Sequence, residues 1–340
     1  MILIYGTNIE LNKVIGFLDA TSALITENTD GDRYCELECK NTAENSKYFK
    51  KDILIRVTGE HGGVFRIGAP IKTGGKLKAK CLSLFYDTEN YIISSLVLEN
   101  VTVAVALERM ATACDGTVPL KFLTGFPNDI TVTLEFKDVT LKTALKELQK
   151  QVGGHYIESE RLITLYQNIG KNNGTVLRYA DNVISFSATE DWSEVCTKIK
   201  PIGKDGITLD EVYLESETQY DVPYTKVKEF EQDIEIEGDI NDSQFSAAVK
   251  LALKSDLKSQ GEEYLATHSK PTVNYDIEAH IKTPVHIGDV CQVIYPKLSV
   301  NSELQVIETK WNGVSHRYES VQFGTLLPSI NGLYSRLGGK

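Results

Sequence analysis

LVLENVTVAVALERMATACDG (96–116) and LEFKDVTLKTALKELQKQVGG (134–154) are two copies of one pattern, 38 residues apart. The copies share the pairs Leu96/Leu134, Val101/Val139, Thr102/Thr140, Ala106/Ala144 and Leu107/Leu145. A threonine that precedes a helix can accept a backbone N–H of the first turn, so Thr102 and Thr140 predict helix starts. Each copy therefore predicts a strand, a capped helix that ends at a glycine, and a second strand, at 118–123 and 155–167.

This duplication predicts a compact α+β domain over residues 94–168. Ala144, Leu145 and Leu148 are spaced so that they share one helical face, which indicates an amphipathic helix with a buried side. Two such βαβ units would pack two helices on one sheet.

Residues 1–93 read as β structure. Short alternating runs such as RYCELECK (33–40) and DILIRV (52–57) are separated by turn signals at Gly62-Gly63 and Gly74-Gly75. This pattern is typical of a small β-barrel or β-sandwich domain.

One basic feature stands out in this first region. In KTGGKLKAK a Gly-Gly turn leads into Lys76, Lys78 and Lys80, which would lie on the same face of a strand. We predict either a solvated strand face or a basic interface strand that meets an acidic partner surface.

A Gly/Asn-rich stretch, NIGKNNGT (168–175), marks the next boundary, after which short strands resume. We predict an acidic strand and then a long helix within residues 229–269, with further short strands on both sides of that segment. The helix is predicted over 241–268, because apolar residues recur there at helical spacing. The predicted fold class is thus α+β, mainly β, with several domains.

The charge of the chain is concentrated in one segment. The 340 residues include 36 lysines and arginines against 47 acids, a net charge of −11, and residues 205–242 alone hold thirteen acids and two lysines. Within EFEQDIEIEGDI the acids alternate with apolar residues and form a candidate acidic face, comprising Glu229, Glu231, Asp233, Glu235, Glu237 and Asp239. Such a charge balance disfavours a protein whose main role is to hold nucleic acid phosphates.

No sequence motif for catalysis, a cofactor or a metal is present. The chain lacks GxGxxG, GxxxxGK[ST], HExxH and GxSxG. The acidic run imitates the first half of a calcium loop, but Gln244 occupies the twelfth position, where a bidentate glutamate is needed. We therefore predict no catalytic, cofactor-binding or metal-binding residues.

The sequence favours a chain made in a reducing compartment. It shows no signal peptide and no apolar run long enough for a membrane span. Six scattered cysteines without a CxxC motif are predicted to be buried free thiols, with Cys35 and Cys39 on one strand face.

Several segments together resemble a known family. They are ATSALITENTDGDRYCELECK (20–40), KAKCLSLFYDTENYII (78–93), CTKIKPIGKDGITL (196–209), GEEYLATHSKPTVNYDIEA (261–279) and VHIGDVCQVIYPKLSVNSELQVIETKWN (285–312). In this order they resemble the N-terminal hub region of the prophage tail endopeptidase, or tail-associated lysin, family of tailed phages. That region is similar to the contractile-phage baseplate hub.

The resemblance implies a structural protein of the phage tail tip, made in the bacterial cytoplasm and carried in the virion. It implies a homotrimeric, baseplate-hub-like ring that docks to the distal tail protein. Each subunit would contribute two β-barrel domains, residues 1–93 and residues 176–228 with 270–330, and the second barrel would be interrupted by an insertion at 229–269 that holds the acidic strand and the long helix. The ring would surround the tail channel, which admits the tape-measure protein and phage DNA without specific binding. Longer relatives carry hydrolase segments after this region. Because the sequence stops at Lys340 without room for one, no enzymatic activity is expected.

Two alternatives stay open at this point. The first is a peptidoglycan hydrolase or endopeptidase of the tail tip that uses a site without a recognisable motif. The second is a secretin-like periplasmic ring module, because residues 131–166 also resemble the small periplasmic domain of secretins and TonB-dependent receptors.

Overall fold

The computed structural model describes residues 2–7, 11, 13–29, 31–203, 206–232 and 243–324, apart from the side chains of 243–246 and 248. The chain divides into two compact units, residues 1–187 with 275–340 and residues 188–274. The predicted division into four domains stays a prediction.

The described residues form 22 strands and four α-helices. The first part of the chain holds β1 (Ile2–Gly6), β2 (Gly16–Leu18), β3 (Ala20–Asn28), β4 (Arg33–Lys40), α1 (Ala43–Tyr48), β5 (Leu54–Val57), β6 (Gly63–Ile67), β7 (Ile71–Lys72) and β8 (Lys76–Ser83). A 3-10 helix, Leu84–Asn90, leads to β9 (Ile92–Thr102), α2 (Val103–Thr112), β10 (Lys121–Thr124), β11 (Thr131–Thr140), α3 (Leu141–Val152), β12 (His155–Ser159) and β13 (Leu162–Tyr166).

The remaining elements are β14 (Asn172–Arg178), β15 (Val183–Asp191), β16 (Lys198–Ile202), β17 (Leu214–Glu215), β18 (Thr225–Glu229), α4 (Ser243–His268), β19 (Thr272–Ala279), β20 (Val290–Tyr295), β21 (Val300–Asn312) and β22 (Arg317–Gly324). The mainly β, α+β class is confirmed, and the long helix predicted over 241–268 is α4. Three apolar residues of this helix, Leu253, Leu257 and Leu265, are buried, as the helical spacing requires.

A sheet of fourteen strands organises the first unit, in the order β15-β19-β22-β21-β3-β4-β8-β6-β5-β1-β2, with β7, β14 and β20 attached at its sides. The long strand β21 joins its two halves, because it pairs with β20 and β22 and also with β3, where Trp311 lies opposite Ile25. The strand pairings among the described residues do not close into a ring. The two-barrel part of the prediction is therefore not confirmed.

The two copies of the duplicated segment are related by an approximate local two-fold axis. Strands β9 and β11 pair antiparallel with Val97 opposite Glu135, and these two residues are themselves equivalent in the 38-residue repeat. Thr102 accepts a hydrogen bond from Val105 N at 3.4 Å, and Thr140 accepts one from Thr143 N at 3.2 Å, as the capping pattern predicts. The helices bury the predicted apolar face, including Ala144, Leu145 and Leu148.

Three details of this segment differ from the sequence prediction. The strand predicted at 155–167 is a hairpin, β12–β13, because Glu160 adopts a left-handed backbone (φ 54°) that turns the chain. The strands form two separate sheets, β9–β11 and β10–β13–β12, although both helices contact β11. Helix α3 ends at Gly153 with φ 76°, but α2 ends at Ala113 in right-handed conformation, before Gly116.

The cap at α3 gives a direct stability test. Thr140→Ala is expected to lower the free energy of unfolding by about 1 kcal/mol, because it leaves a first-turn N–H without its acceptor. Thr140→Ser keeps the hydroxyl and should stay close to wild type in urea unfolding. Equal stabilities for the alanine and serine variants would contradict the capping role.

The second unit, residues 188–274, packs α4 against a small sheet in the order β17-β16-β18. Its core is built around Cys196, Ile199, Leu214 and Leu265. Nine lysines and no arginine stand against nineteen acids in this unit, which gives it −10 of the net charge of −11.

Candidate functional site

The basic strand is β8, and its lysines face outward. Exposed and buried residues alternate along it, so Lys76, Lys78 and Lys80 share the exposed face while Leu77, Ala79 and Cys81 point into the core. Lys76 Nζ and Lys78 Nζ lie 2.6 and 2.9 Å from the two carboxylate oxygens of Glu38 on the neighbouring strand β4. These ion pairs lower the pKa of the Glu38 carboxyl. Opposite charges on adjacent strands support the pairing, so part of the lysine pattern has a structural cause.

Lys80 completes this face in a different way. Its Nζ lies 3.8 Å from the ring centroid of Tyr34, a cation–π contact. Among the residues that the structure describes, Glu38 alone forms ion pairs with Lys76 and Lys78, and all three lysines remain exposed to solvent. The role of β8 as an interface strand stays a prediction.

The predicted acidic face is only partly within the described residues. Glu229 is exposed at the end of β18, and Glu231 is exposed two residues later, which agrees with the predicted alternation. Asp233, Glu235, Glu237 and Asp239 lie outside the described residues. Gln232, on the opposite side of the run, is buried and donates to Leu253 O at 2.7 Å, so the segment is fastened to α4.

The two ends of the large sheet differ in how they are covered. At β2, Tyr48 of α1 donates to Ile15 O (3.1 Å), and the Asn45 side chain accepts from Asp19 N (3.1 Å). Side chains of α1 thus form hydrogen bonds with backbone groups at both ends of β2, although Phe17 stays 55% exposed. At the other end, seven of the nine residues of β15 are exposed, and no second strand pairs with it among the described residues. An uncovered edge strand of this length is a template for pairing with another chain.

A polar cleft of about 420 Å³ lies in the first unit beside the turn between β5 and β6. Four carboxylates, two arginines and two histidines line it: Glu27, Glu60, Glu158, Glu160, Arg33, Arg56, His61 and His286. Arg56 Nη2 lies 2.5 Å from Glu160 Oε1, and Arg33 Nη2 donates to His61 O and Gly62 O at 3.1 and 2.8 Å. The arginines are thus engaged in fixing the cleft walls.

His61 is the buried centre of this polar cluster. Its Nε2 lies 2.6 Å from Tyr318 Oη, and Tyr318 Oη also accepts from Val285 N and donates to Val285 O. The His61 ring lies 4.9 Å from that of His286 and 5.8 Å from that of Trp311. Burial, followed by the proximity of His286 and Arg33, lowers the pKa of His61 to about 3. The imidazole is therefore neutral at pH 7 and connects the β5–β6 turn to β22.

Glu158 has a structural role at the other side of the cleft. Its carboxylate accepts hydrogen bonds from Leu84 N (3.0 Å) and Phe85 N (3.4 Å), the first residues of the 3-10 helix. Burial raises the pKa of Glu158, while Arg33 and these bonds act in the opposite direction. The duplicated segment is thus tied to the chain just after β8.

These contacts were not predicted from the sequence. His61, Tyr318, Arg33 and Glu158 are separated by tens to hundreds of residues, and no short motif joins them. The structure also places the His286 ring against that of His61, a contact for which the sequence gives no signal. Within the described ranges, no group of three or more His, Cys, Asp or Glu side chains is arranged to hold a metal ion. The helices that the structure describes include none that is long and apolar enough to cross a membrane.

Comparison with solved structures identifies the class of fold. The chain is similar to prophage tail protein gp18 from Listeria monocytogenes EGD-e (15% identity, TM-score 0.60, 99% of this chain and 98% of that one). It is similar to a tail protein from Neisseria meningitidis MC58 (12% identity, TM-score 0.65, 97% and 98%). It is also similar to the E. coli c3393 protein, a type VI secretion component described as structurally similar to the T4 tail proteins gp27 and gp5 (9% identity, TM-score 0.53, 97% and 78%). The fold is that of phage tail and baseplate-hub proteins.

The sequence itself matches a family within this class. The model of the prophage endopeptidase tail family matches residues 171–333. A comparison with curated proteins finds no match. The predicted resemblance to phage and prophage tail proteins with a baseplate-hub-like fold is confirmed.

Proposed function

We propose that this chain is a structural component of a phage or prophage tail tip, forming a trimeric baseplate hub around the tail channel. The observation that carries the proposal is the likeness to solved tail proteins along nearly the whole chain, together with the family match at 171–333. The partners would be two further copies of the chain, the distal tail protein ring and the tape-measure protein. The site of action would be the virion.

The uncovered edge at β15 and the exposed lysines of β8 support an assembly role. An edge strand with seven exposed residues offers backbone hydrogen-bonding groups to a neighbour. The β8 lysines offer positive charge on a chain that is otherwise acidic. Both are surfaces at which neighbouring subunits or the distal tail ring would dock.

The acidic face would line the channel or an inter-subunit surface. The unit that carries Glu229 and Glu231 holds −10 of the net charge, and carboxylates repel the phosphate backbone of DNA. A channel lined in this way lets DNA pass without holding it. An electron-cryomicroscopy map of the tail tip that places these residues on the outer rim would exclude this role.

We further propose that the chain is not itself an enzyme. The charged residues of the cleft are used in structural contacts: Arg56 with Glu160, His61 with Tyr318, and Glu158 with the 3-10 helix. Incubation of the purified chain with bacterial cell walls should release no soluble fragments. Turnover that a single acid-to-amide change in the cleft abolished would instead favour a hydrolase.

Light scattering coupled to size-exclusion chromatography tests the assembly directly. The purified chain, alone or mixed with the distal tail protein of the same phage, is expected to elute with three copies per particle. A matched variant, Ile184→Lys on the exposed edge β15, should weaken the trimer while leaving the unfolding temperature unchanged. A chain that stays monomeric both alone and with the distal tail protein would contradict the proposed trimeric hub.

A further inference from the structure

Three of the six cysteines lie on two neighbouring strands at the centre of the large sheet. Cys35 and Cys39 are on β4 and Cys81 is on β8, and all three side chains point into the core and are 0% exposed. All are free thiols in the structure. The proposed function uses none of them.

The register of the two strands brings two of these thiols together. Cys35 lies directly opposite Cys81 in the antiparallel pair β4–β8. Directly opposite residues in such a pair have Cα atoms about 4.5–5.5 Å apart, and their side chains leave the same face of the sheet. Disulfides need Cα separations of about 4.4–6.8 Å, so this pair satisfies the requirement without movement of the backbone.

The same strand register excludes Cys39 from a disulfide with Cys35 or Cys81. It lies opposite Leu77, and it is four residues from Cys35 along β4, a distance of about 13 Å in an extended strand. Cys39 therefore cannot reach either of the other thiols across the limit of about 7 Å between Cα atoms. It shares the burial and the strand of Cys35 and serves as a matched control.

We propose that Cys35 and Cys81 form a latent disulfide site, which a small-molecule disulfide such as oxidised glutathione closes when the protein leaves a reducing compartment. One cysteine attacks the oxidant as a thiolate, forms a mixed disulfide and releases one glutathione thiol. The second cysteine then displaces the other glutathione. The protein loses two protons and two electrons in total, and one oxidised glutathione becomes two reduced ones.

Burial makes this reaction slow in the folded chain. It raises the pKa of the Cys35 thiol well above its ordinary value and that of Cys81 to about 12, so little thiolate is present at pH 7. The oxidant reaches the pair only when β4 and β8 open transiently. The site stays reduced where thiols are kept reduced, and it closes over time outside that environment.

Closure would join two adjacent strands in the middle of the fourteen-stranded sheet. The cross-link restricts the unfolded chain over the long segment between the two cysteines, which stabilises the folded state. For a tail component that acts outside the cell, as proposed above, the disulfide would add covalent stabilisation without the need for an extracellular enzyme. The inference does not depend on the trimer.

The test is to incubate the full chain with excess oxidised glutathione, with and without sub-denaturing urea, and to follow the intact mass. We expect a loss of about 2 Da, faster in urea, and an unfolding midpoint about 5 °C higher than that of the reduced chain. Digestion after Glu36 and Glu38 separates Cys35 from Cys39, so that mass spectrometry assigns the linkage.

The alanine variants decide the outcome. Cys39→Ala should form the cross-link at the wild-type rate, whereas Cys35→Ala and Cys81→Ala should not lose the 2 Da. Circular dichroism of the three reduced variants confirms that each is folded. No mass loss in wild type under either condition, or a linkage that includes Cys39, would overturn the proposal.

Discussion

Gly170→Ala is expected to destabilise the first unit by about 2–5 kcal/mol. Gly170 has φ +82°, where an L side chain costs about 1–2 kcal/mol. A Cβ at this position would also overlap the backbone carbonyl of Gly288, and backbone cannot rotate away as the end of a flexible side chain can. A hydrogen bond between the next residues of the two segments, from Lys171 N to Asp289 Oδ1 at 2.8 Å, holds this close approach in place.

Gly174 provides a matched control four residues further along. It has a similar backbone conformation, φ +74°, but nothing lies within 4 Å of the position its Cβ would take. Gly174→Ala should therefore cost only the backbone strain, about 1–2 kcal/mol. The two variants are compared by guanidinium unfolding in a Trp192→Phe background, where Trp311 alone reports on the first unit. Equal losses would contradict the tight contact between the segments around Gly170 and Gly288.

Acidification should destabilise the chain through His61. In the unfolded chain a histidine binds a proton below about pH 6.5, whereas in the folded chain His61 has a pKa of about 3. Between these values the unfolded state holds more protons, so the stability that is present above pH 6.5 is lost as the pH falls towards 3. The contribution is about 1.4 kcal/mol per pH unit, or about 2 kcal/mol between pH 6.5 and pH 5.

The variant His61→Gln removes the titrating group and keeps a polar side chain opposite Tyr318. It should flatten the dependence of the unfolding midpoint on pH between 7 and 5, whatever its stability at pH 7. His280→Gln alters an exposed histidine of the same unit and should keep the wild-type slope. An unchanged slope in His61→Gln would show that another group causes the acid sensitivity.

Local sequence patterns were sufficient to predict many of the strands and helices of the fold. The period of 38 residues predicted the duplicated segment, and Thr102 and Thr140 predicted the helix starts, because capping depends on atoms within three residues. The alternation in RYCELECK and KLKAKCLS predicted which side of β4 and β8 is buried. The mainly β class and the resemblance to tail proteins followed from the order of such segments.

Contacts between residues far apart in the chain could not be predicted from the sequence. Residues 155–167 read as one strand because no glycine, proline or asparagine marks the turn at Glu160. NIGKNNGT was interpreted as a domain boundary, and its composition gives no sign that Gly170 lies close to the backbone of Gly288. The cluster of His61, Tyr318 and Val285 joins residues more than 200 positions apart, and each residue by itself carries no signal of its partners.

The sequence by itself determined the strand and helix segments, the duplication, and the concentration of acid in one segment, because each depends on neighbours in the chain. Only the tertiary structure decided that β21 joins both halves of one large sheet, that His61 is buried and neutral, and that Cys35 faces Cys81 while Cys39 does not. Register between distant strands is set by which faces can be buried together, and that is a property of the whole packed sheet.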